Sequence, residues 1–218
     1  MWQNALFETI YSLRDEEKAP PMKAYMKNLF PFLGIPTPIR KKGCKEFFRE
    51  AKKSKEIDWN FINRCWEQDY REFQYIAIDY LVLMKHALIV EDLNAIKRLI
   101  LSKSWWDTID GLDKIVGDIA LENPAVNDML LAWSKNENIW LRRIAIDHQL
   151  SRKEKTNTDL LEQILINNLD QSEFFINKAI GWSLREYSKT NPEWVRSFIQ
   201  NHQEGLSSLS IREGSKYL

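Results

Sequence analysis

Between Arg40 and Lys55 stand Arg40, Lys41, Lys42, Lys45, Arg49, Lys52, Lys53 and Lys55, opposed only by Glu46 and Glu50. Over the whole chain 31 basic residues balance 31 acidic ones, so this run is a segregated cationic face suited to a polyanion. Elsewhere Asp110, Arg143, Trp182 and the adjacent Trp105 and Trp106 offer a carboxylate, a guanidinium and indoles. Each has an ordinary structural use as well. Asp110 is suited to a helix start or the surface, Arg143 beside Arg142 to a solvated pair, and Trp182 to the core. Neighbouring helical residues point about 100° apart, so Trp105 and Trp106 cannot both enter one core. Other chemistries lack their markers. His86, His148 and His202 are scattered without an HExxH pattern, Cys44 and Cys65 show no nucleophile signature, and no GxxxxGK[ST], GxGxxG or GxSxG is present.

The elements that must carry these side chains are helices. Seven glycines and seven prolines in 218 residues leave few forced breaks. The prolines punctuate, with Pro20-Pro21, Thr37-Pro38, Asn123-Pro124 and Asn191-Pro192 each reading as a cap or break followed by an early helical proline. Segments between them, such as Tyr75 to Val82, are amphipathic and do not alternate, and Asp110-Gly111 sits in a helix-like run. A period of 34 links Gly43, Ala77, Gly111, Ala145 and Ala179. One residue later stand Cys44, Ile78, Leu112, Ile146 and Ile180, and five later Phe48, Val82, Val116, Leu150 and Leu184, all apolar. Those two columns share a helix face, and the small residue lets a neighbouring helix approach. No tryptophan has the leucine three residues on that a tetratricopeptide signature needs, so the spacing predicts an all-α fold, an α-solenoid of short HEAT-like repeats. Asp110, Arg143 and Trp182 break the repeat's pattern in three successive units, where equivalent positions line one surface.

With 44% hydrophobic residues, the chain can fill one core or repeat array, here expected as a single domain over 1–218. Two unpaired cysteines exclude a disulfide framework and fit a reducing, cytoplasmic setting. The N-terminus lacks a basic leader region, and the most apolar stretch, Tyr75 to Met84, is short and broken by Asp79, so no membrane association is expected.

Several ordered segments resemble a known family, the HEAT-like-repeat alkylpurine DNA glycosylases, or AlkD-like DNA alkylation repair enzymes. They are Pro21 to Asn28, Phe32 to Pro38, Arg71 to Gln74, Ser102 to Asp110, Asn138 to Arg143 and Phe174 to Trp182. The resemblance implies a curved array with a basic concave face, acting as a monomer on double-stranded DNA that contains alkylated purines. It implies that Asp110 is the catalytic carboxylate, that Trp106 and Trp182 flank the lesion's deoxyribose, and that Arg143 and Tyr25 contact DNA. Arg40, Lys41, Lys42 and Lys45 are the expected phosphate contacts of the basic run. Gly111-Leu112-Asp113 departs from the family pattern, being more acidic and more flexible than expected there.

The implied reaction is hydrolysis of the N-glycosidic bond of purines made cationic by alkylation at N3 or N7, in base excision repair. A charged purine leaves readily, so what remains is to stabilise the oxocarbenium character of the sugar. A carboxylate and indole faces do this without a metal or cofactor. The resemblance also implies a lesion handled without full extrusion into a pocket, unlike base-flipping enzymes. The alternative is a non-catalytic solenoid that binds DNA or a protein through the same face. Asp110 separates the two, because an acid in a basic groove repels phosphate.

Overall fold

Early helical prolines do start helices, as the sequence suggests. Pro20 and Pro21 stand in the first turn of α2 (Ala19–Tyr25), Pro38 in that of α3 (Thr37–Ala51), and Pro192 opens α12 (Pro192–Asn201) behind Asn191, whose side chain accepts from Trp194 N at 3.1 Å. Their fixed φ suits a position whose amide has no intrahelical partner. Asn123-Pro124 behaves differently. Val126 N bonds Asn123 O at 3.0 Å, which closes a single 3₁₀ turn before the next α-helix begins at Asn127.

The computed structural model describes residues 2–218. Among them there are thirteen α-helices and no strand, the all-α class read from the sequence. The chain divides into two compact units, Met1–Leu88 and Ile89–Leu218. The first holds α1 (Trp2–Ser12), α2 (Ala19–Tyr25), α3 (Thr37–Ala51), α4 (Trp59–Glu67) and α5 (Arg71–Leu83). The second holds α6 (Leu93–Ile100), α7 (Trp106–Glu122), α8 (Asn127–Trp133), α9 (Ile139–Asp147), α10 (Thr158–Ile166), α11 (Phe174–Ser188), α12 (Pro192–Asn201) and α13 (Ser208–Gly214). No described helix is long and apolar enough to cross a membrane.

The 34-residue period falls on alternate helices, with Gly43 on α3, Ala77 on α5, Gly111 on α7, Ala145 on α9 and Ala179 on α11. Cys44, Ile78, Leu112, Ile146 and Ile180, the residues after them, are all buried. Within the first unit α3 packs on α5; within the second α9 packs on both α7 and α11. The column five residues on is looser, for Val82 is exposed and Leu150 lies just past α9.

In the first unit Phe7, Phe61, Phe73 and Tyr80 form an aromatic cluster, edge-to-face at Phe7–Phe73 and Phe61–Tyr80, and the Tyr80 hydroxyl accepts from Asp58 N at 3.0 Å. Here Glu72, fully buried, accepts three backbone amides: Leu33 N at 3.0 Å, Gly34 N at 2.9 Å and Ile35 N at 3.1 Å. One carboxylate thus fixes the segment before α3. Glu72→Ala leaves three buried donors unpaired and is expected to cost about 3 kcal/mol or more. Urea unfolding measures this, and an unchanged midpoint would show that other groups hold that segment.

Candidate functional site

In α7, Ile109, Leu112, Ile115, Val116, Ile119 and Ala120 are buried at helical spacing, which sets the register of the helix. That register brings Asp110 and Asp113, three residues apart, onto one adjacent face. In α9, the Asn138 side chain caps the start by accepting from Trp140 N at 2.9 Å. Arg143 and Asp147, four residues apart, share a face in turn. At the far end Gly117 allows close approach: a Cβ there would stand 2.2 Å from the His148 carbonyl oxygen. The Arg152 guanidinium closes the same contact by donating to Gly117 O at 2.7 Å.

Arg143, only 2% exposed, is the hub. Its Nε donates to Asp110 Oδ1 at 2.9 Å, one terminal nitrogen pairs with the same oxygen at 2.8 Å, and the other terminal nitrogen donates to the Phe175 carbonyl at 2.8 Å. The guanidinium carbon stands 5.3 Å from the Trp182 ring centroid, so α7, α9 and α11 meet at one side chain. The structure therefore brings together Asp110, Arg143 and Trp182, the three residues that break the repeat. Trp105 and Trp106 divide as their adjacency requires. Trp105 lies against Phe175 (5.0 Å) and Trp140 (5.8 Å), whereas Trp106 begins α7 half-buried, one turn before Asp110.

Three acids surround this one guanidinium. Carboxylate oxygens of Asp110, Asp113 and Asp147 lie within 4.8 Å of one another, a geometry that would also admit a metal ion. Asp147 Oδ2 is 3.7 Å from Arg143, and neither Asp147 oxygen accepts a hydrogen bond. Burial raises all three carboxyls. For Asp110 it outweighs Arg143; for Asp113 it is reinforced by Asp147 and Asp110 and carries the group well above the usual range; it pushes Asp147 up to about 7 against the pull of Arg143. Burial opposes the charge of Arg143 too, yet Asp147 and Asp110 hold its pKa above the usual value. Asp110, with one guanidinium donor, a further ion-pair contact to the same group and a side chain 23% exposed, is best placed of the three to stay ionised. His148, pushed down to about 3 by burial with Arg152 adding, is neutral and is no acid here.

A cleft of about 530 Å³ opens on these groups, lined by Asp110, Asp113, Asp147 and Trp182 together with Lys114, Arg152 and Lys155. Over the Trp182 ring stand two further cations, Lys178 Nζ at 5.7 Å and the Arg185 guanidinium at 5.9 Å. Both are held by Glu213 of α13, at 3.1 and 2.9 Å. Gly181 makes that packing possible, since a Cβ there would meet Glu213 Cβ at 2.6 Å.

In the first unit Tyr25 is 69% exposed and lines a groove of about 440 Å³ with Met22, Met26, Phe32, Arg40 and Tyr75. Lys41, Lys42 and Lys45 are exposed on α3. Arg40 is buried instead, donating to Asp79 at 3.1 Å and lying 4.9 Å from the Tyr75 ring centroid. Sequence reasoning missed Asp147, Lys178, Arg185 and Glu213, and treated Asp113 only as a departure. The i+3 and i+4 offsets from Asp110 and Arg143 were the available signal for the two acids. Glu213 has none, because 28 residues separate it from Arg185.

The model of a family described as "DNA alkylation repair enzyme" matches residues 6–218. A solved structure described as "Predicted DNA alkylation repair enzyme from Enterococcus faecalis" is 40% identical, with a TM-score of 0.87 over 94% of this chain and 96% of that one. None of the curated proteins matches the chain.

Proposed function

The chain belongs to the DNA alkylation repair enzyme family, whose role is DNA repair, and from that premise we propose that it is a DNA glycosylase. It would hydrolyse the N-glycosidic bond of cationic N3- and N7-alkylpurines in double-stranded DNA, as the first step of base excision repair. The observation that carries this reading is Asp110, a partly exposed carboxylate held by Arg143 at the mouth of a cleft beside Trp182. Alkylation supplies the leaving group's charge. As the bond stretches, positive charge grows on the deoxyribose, and a preorganised carboxylate stabilises it and can orient the attacking water. The indoles of Trp182 and Trp106 would flank the sugar. Arg143, buried and donating to Asp110 and the Phe175 carbonyl, holds Asp110 at the cleft in the resting site and is not exposed for a backbone contact. Lys41, Lys42, Lys45 and Tyr25 would make phosphate and backbone contacts elsewhere on the duplex, whereas Arg40 is buried against Asp79.

The same proposal includes an α-solenoid of HEAT-like repeats with a basic concave face, one domain over 1–218 working as a monomer in the cytoplasm. Against the non-catalytic alternative stands Asp110, an acid at the cleft that a phosphate-binding surface would avoid. Incubation with duplexes containing 7-methylguanine, 3-methyladenine, uracil or hypoxanthine, followed by chromatography of released bases, tests the reading. The two cationic bases should appear and the two neutral ones should not. No release of either cationic base would refute glycosylase activity, and equal release of all four would refute the leaving-group argument.

A further inference from the structure

Electrostatic stabilisation by Asp110 leaves two acids of the cleft without a task. Asp147 is the more exposed to question because its surroundings are so poor: the side chain is fully buried, and neither oxygen accepts a hydrogen bond. Its cation, Arg143, is 3.7 Å away and is already committed, with N–H donors to Asp110 and the Phe175 carbonyl and a second ion-pair contact to Asp110. A carboxylate so placed is costly, whereas a neutral carboxyl is tolerable. Asp147 nonetheless faces the cluster, with an oxygen within 4.8 Å of Asp110 and Asp113 oxygens.

Resting on the glycosylase reading, we propose that Asp147 is a positioning residue: protonated, it leaves Arg143 clamped on Asp110, and ionised, it draws the guanidinium toward itself and frees Asp110 to face the cationic sugar. The step is a simple proton loss. The Asp147 O–H bond breaks, its electron pair stays on the carboxylate, and the proton passes to water in the cleft. Arg143 lies one turn before Asp147 on the same helix, so a small rotation of the guanidinium moves it between the two acids. The groups that set the balance are Arg143 and the neighbouring His148 on the Asp147 side, Asp110 and Asp113 on α7, and Lys178 and Arg185 above Trp182 on α11. Lys114, Arg152 and Lys155 line the same cleft. Burial brings the titration to about 7, inside the working range of a DNA enzyme.

Asp147→Asn imitates the protonated acid at nearly constant shape. Single-turnover excision of 7-methylguanine at saturating enzyme should rise about tenfold from pH 5.5 to 8.5 in the wild type, a moderate coupling, and stay flat and low in the variant. Over the same range the wild-type Tm should fall by a few degrees relative to the variant. The sign follows from linkage: a carboxyl raised on folding contributes stability below its unfolded pKa and loses it as pH rises through the folded one. The ¹⁵N resonance of Arg143 Nε should follow the wild-type titration and stand still in Asp147→Asn. Identical pH profiles, or a pH-independent Tm difference, would overturn the proposal. So would a wild-type profile abolished by EDTA, which would make the orphaned carboxyl a cation ligand. No excision by either protein, with the Arg143 shift intact, would refute the glycosylase reading and leave the coupling standing. An unmoved Arg143 with normal excision would do the reverse.

Discussion

Asp110→Asn will slow single-turnover release of 7-methylguanine by about 10²- to 10³-fold, the usual loss when one preorganised electrostatic group is removed from a reacting centre. The substitution is nearly isosteric. Its amide oxygen can still accept from the Arg143 guanidinium, so the α7 to α9 contact and the cleft beside Trp182 persist. What disappears is the negative charge opposite the sugar. That charge matters little for the ground state, whose lesion is cationic on the base, and much for the transition state, where positive charge moves to the deoxyribose. Affinity for a duplex should therefore change little, or even improve, since a carboxylate near phosphates is repulsive. Stability should hold as well, because the variant has one acid fewer around Arg143. A single-turnover rate equal to the wild type would remove Asp110 from the reaction. A loss seen in affinity and not in rate would assign it to DNA binding.

Parts of this site were legible in the sequence because they obey local periodicity. The 34-residue spacing identified α3, α5, α7, α9 and α11 through one small residue each, and the residues that break the pattern at Asp110, Arg143 and Trp182 meet through a single guanidinium. Helix starts at Pro20, Pro38 and Pro192 were legible for the same reason, since a cap or an early proline acts within one turn. Asp147 was hidden. Its position after Ala145-Ile146 reads as one more surface acid, and only the packing of α9 between α7 and α11 buries it. Arg40 misleads in the opposite direction. It heads the basic run, yet Asp79, 39 residues on, draws it into the first unit while Lys41, Lys42 and Lys45 stay exposed. Charge counting along a chain cannot tell a solvated cation from one paired across two helices.

Replacing Arg143 with Met, which keeps the apolar stem and deletes the charge, is expected to destabilise the protein by about 3 to 5 kcal/mol at pH 8, the range for removing one partner of a buried ion pair. Three carboxylates would then share a cluster with no cation inside it, and the Phe175 carbonyl would lose its donor. The pH dependence separates those two costs. In the variant the carboxyls of Asp110, Asp113 and Asp147 lose the charge that restrained their upward shift, so their folded pKa values move further above the unfolded ones. Groups raised in this way stabilise below their unfolded pKa and lose that contribution as pH rises through the folded one. The stability gap between wild type and Arg143→Met should accordingly be widest at pH 8 and narrow toward pH 5, as protons replace the missing cation. Urea unfolding at both pH values measures it. A gap of equal size at both would mean that Arg143 acts through its contacts with Trp182 and the Phe175 carbonyl and not through charge. Adding Asp147→Asn to Arg143→Met supplies the decisive comparison, because it removes one of the stranded acids without restoring the guanidinium. If the hub is electrostatic, the double variant should recover at least 1 kcal/mol or so at pH 8 and almost nothing at pH 5, a non-additivity expected of groups in direct contact.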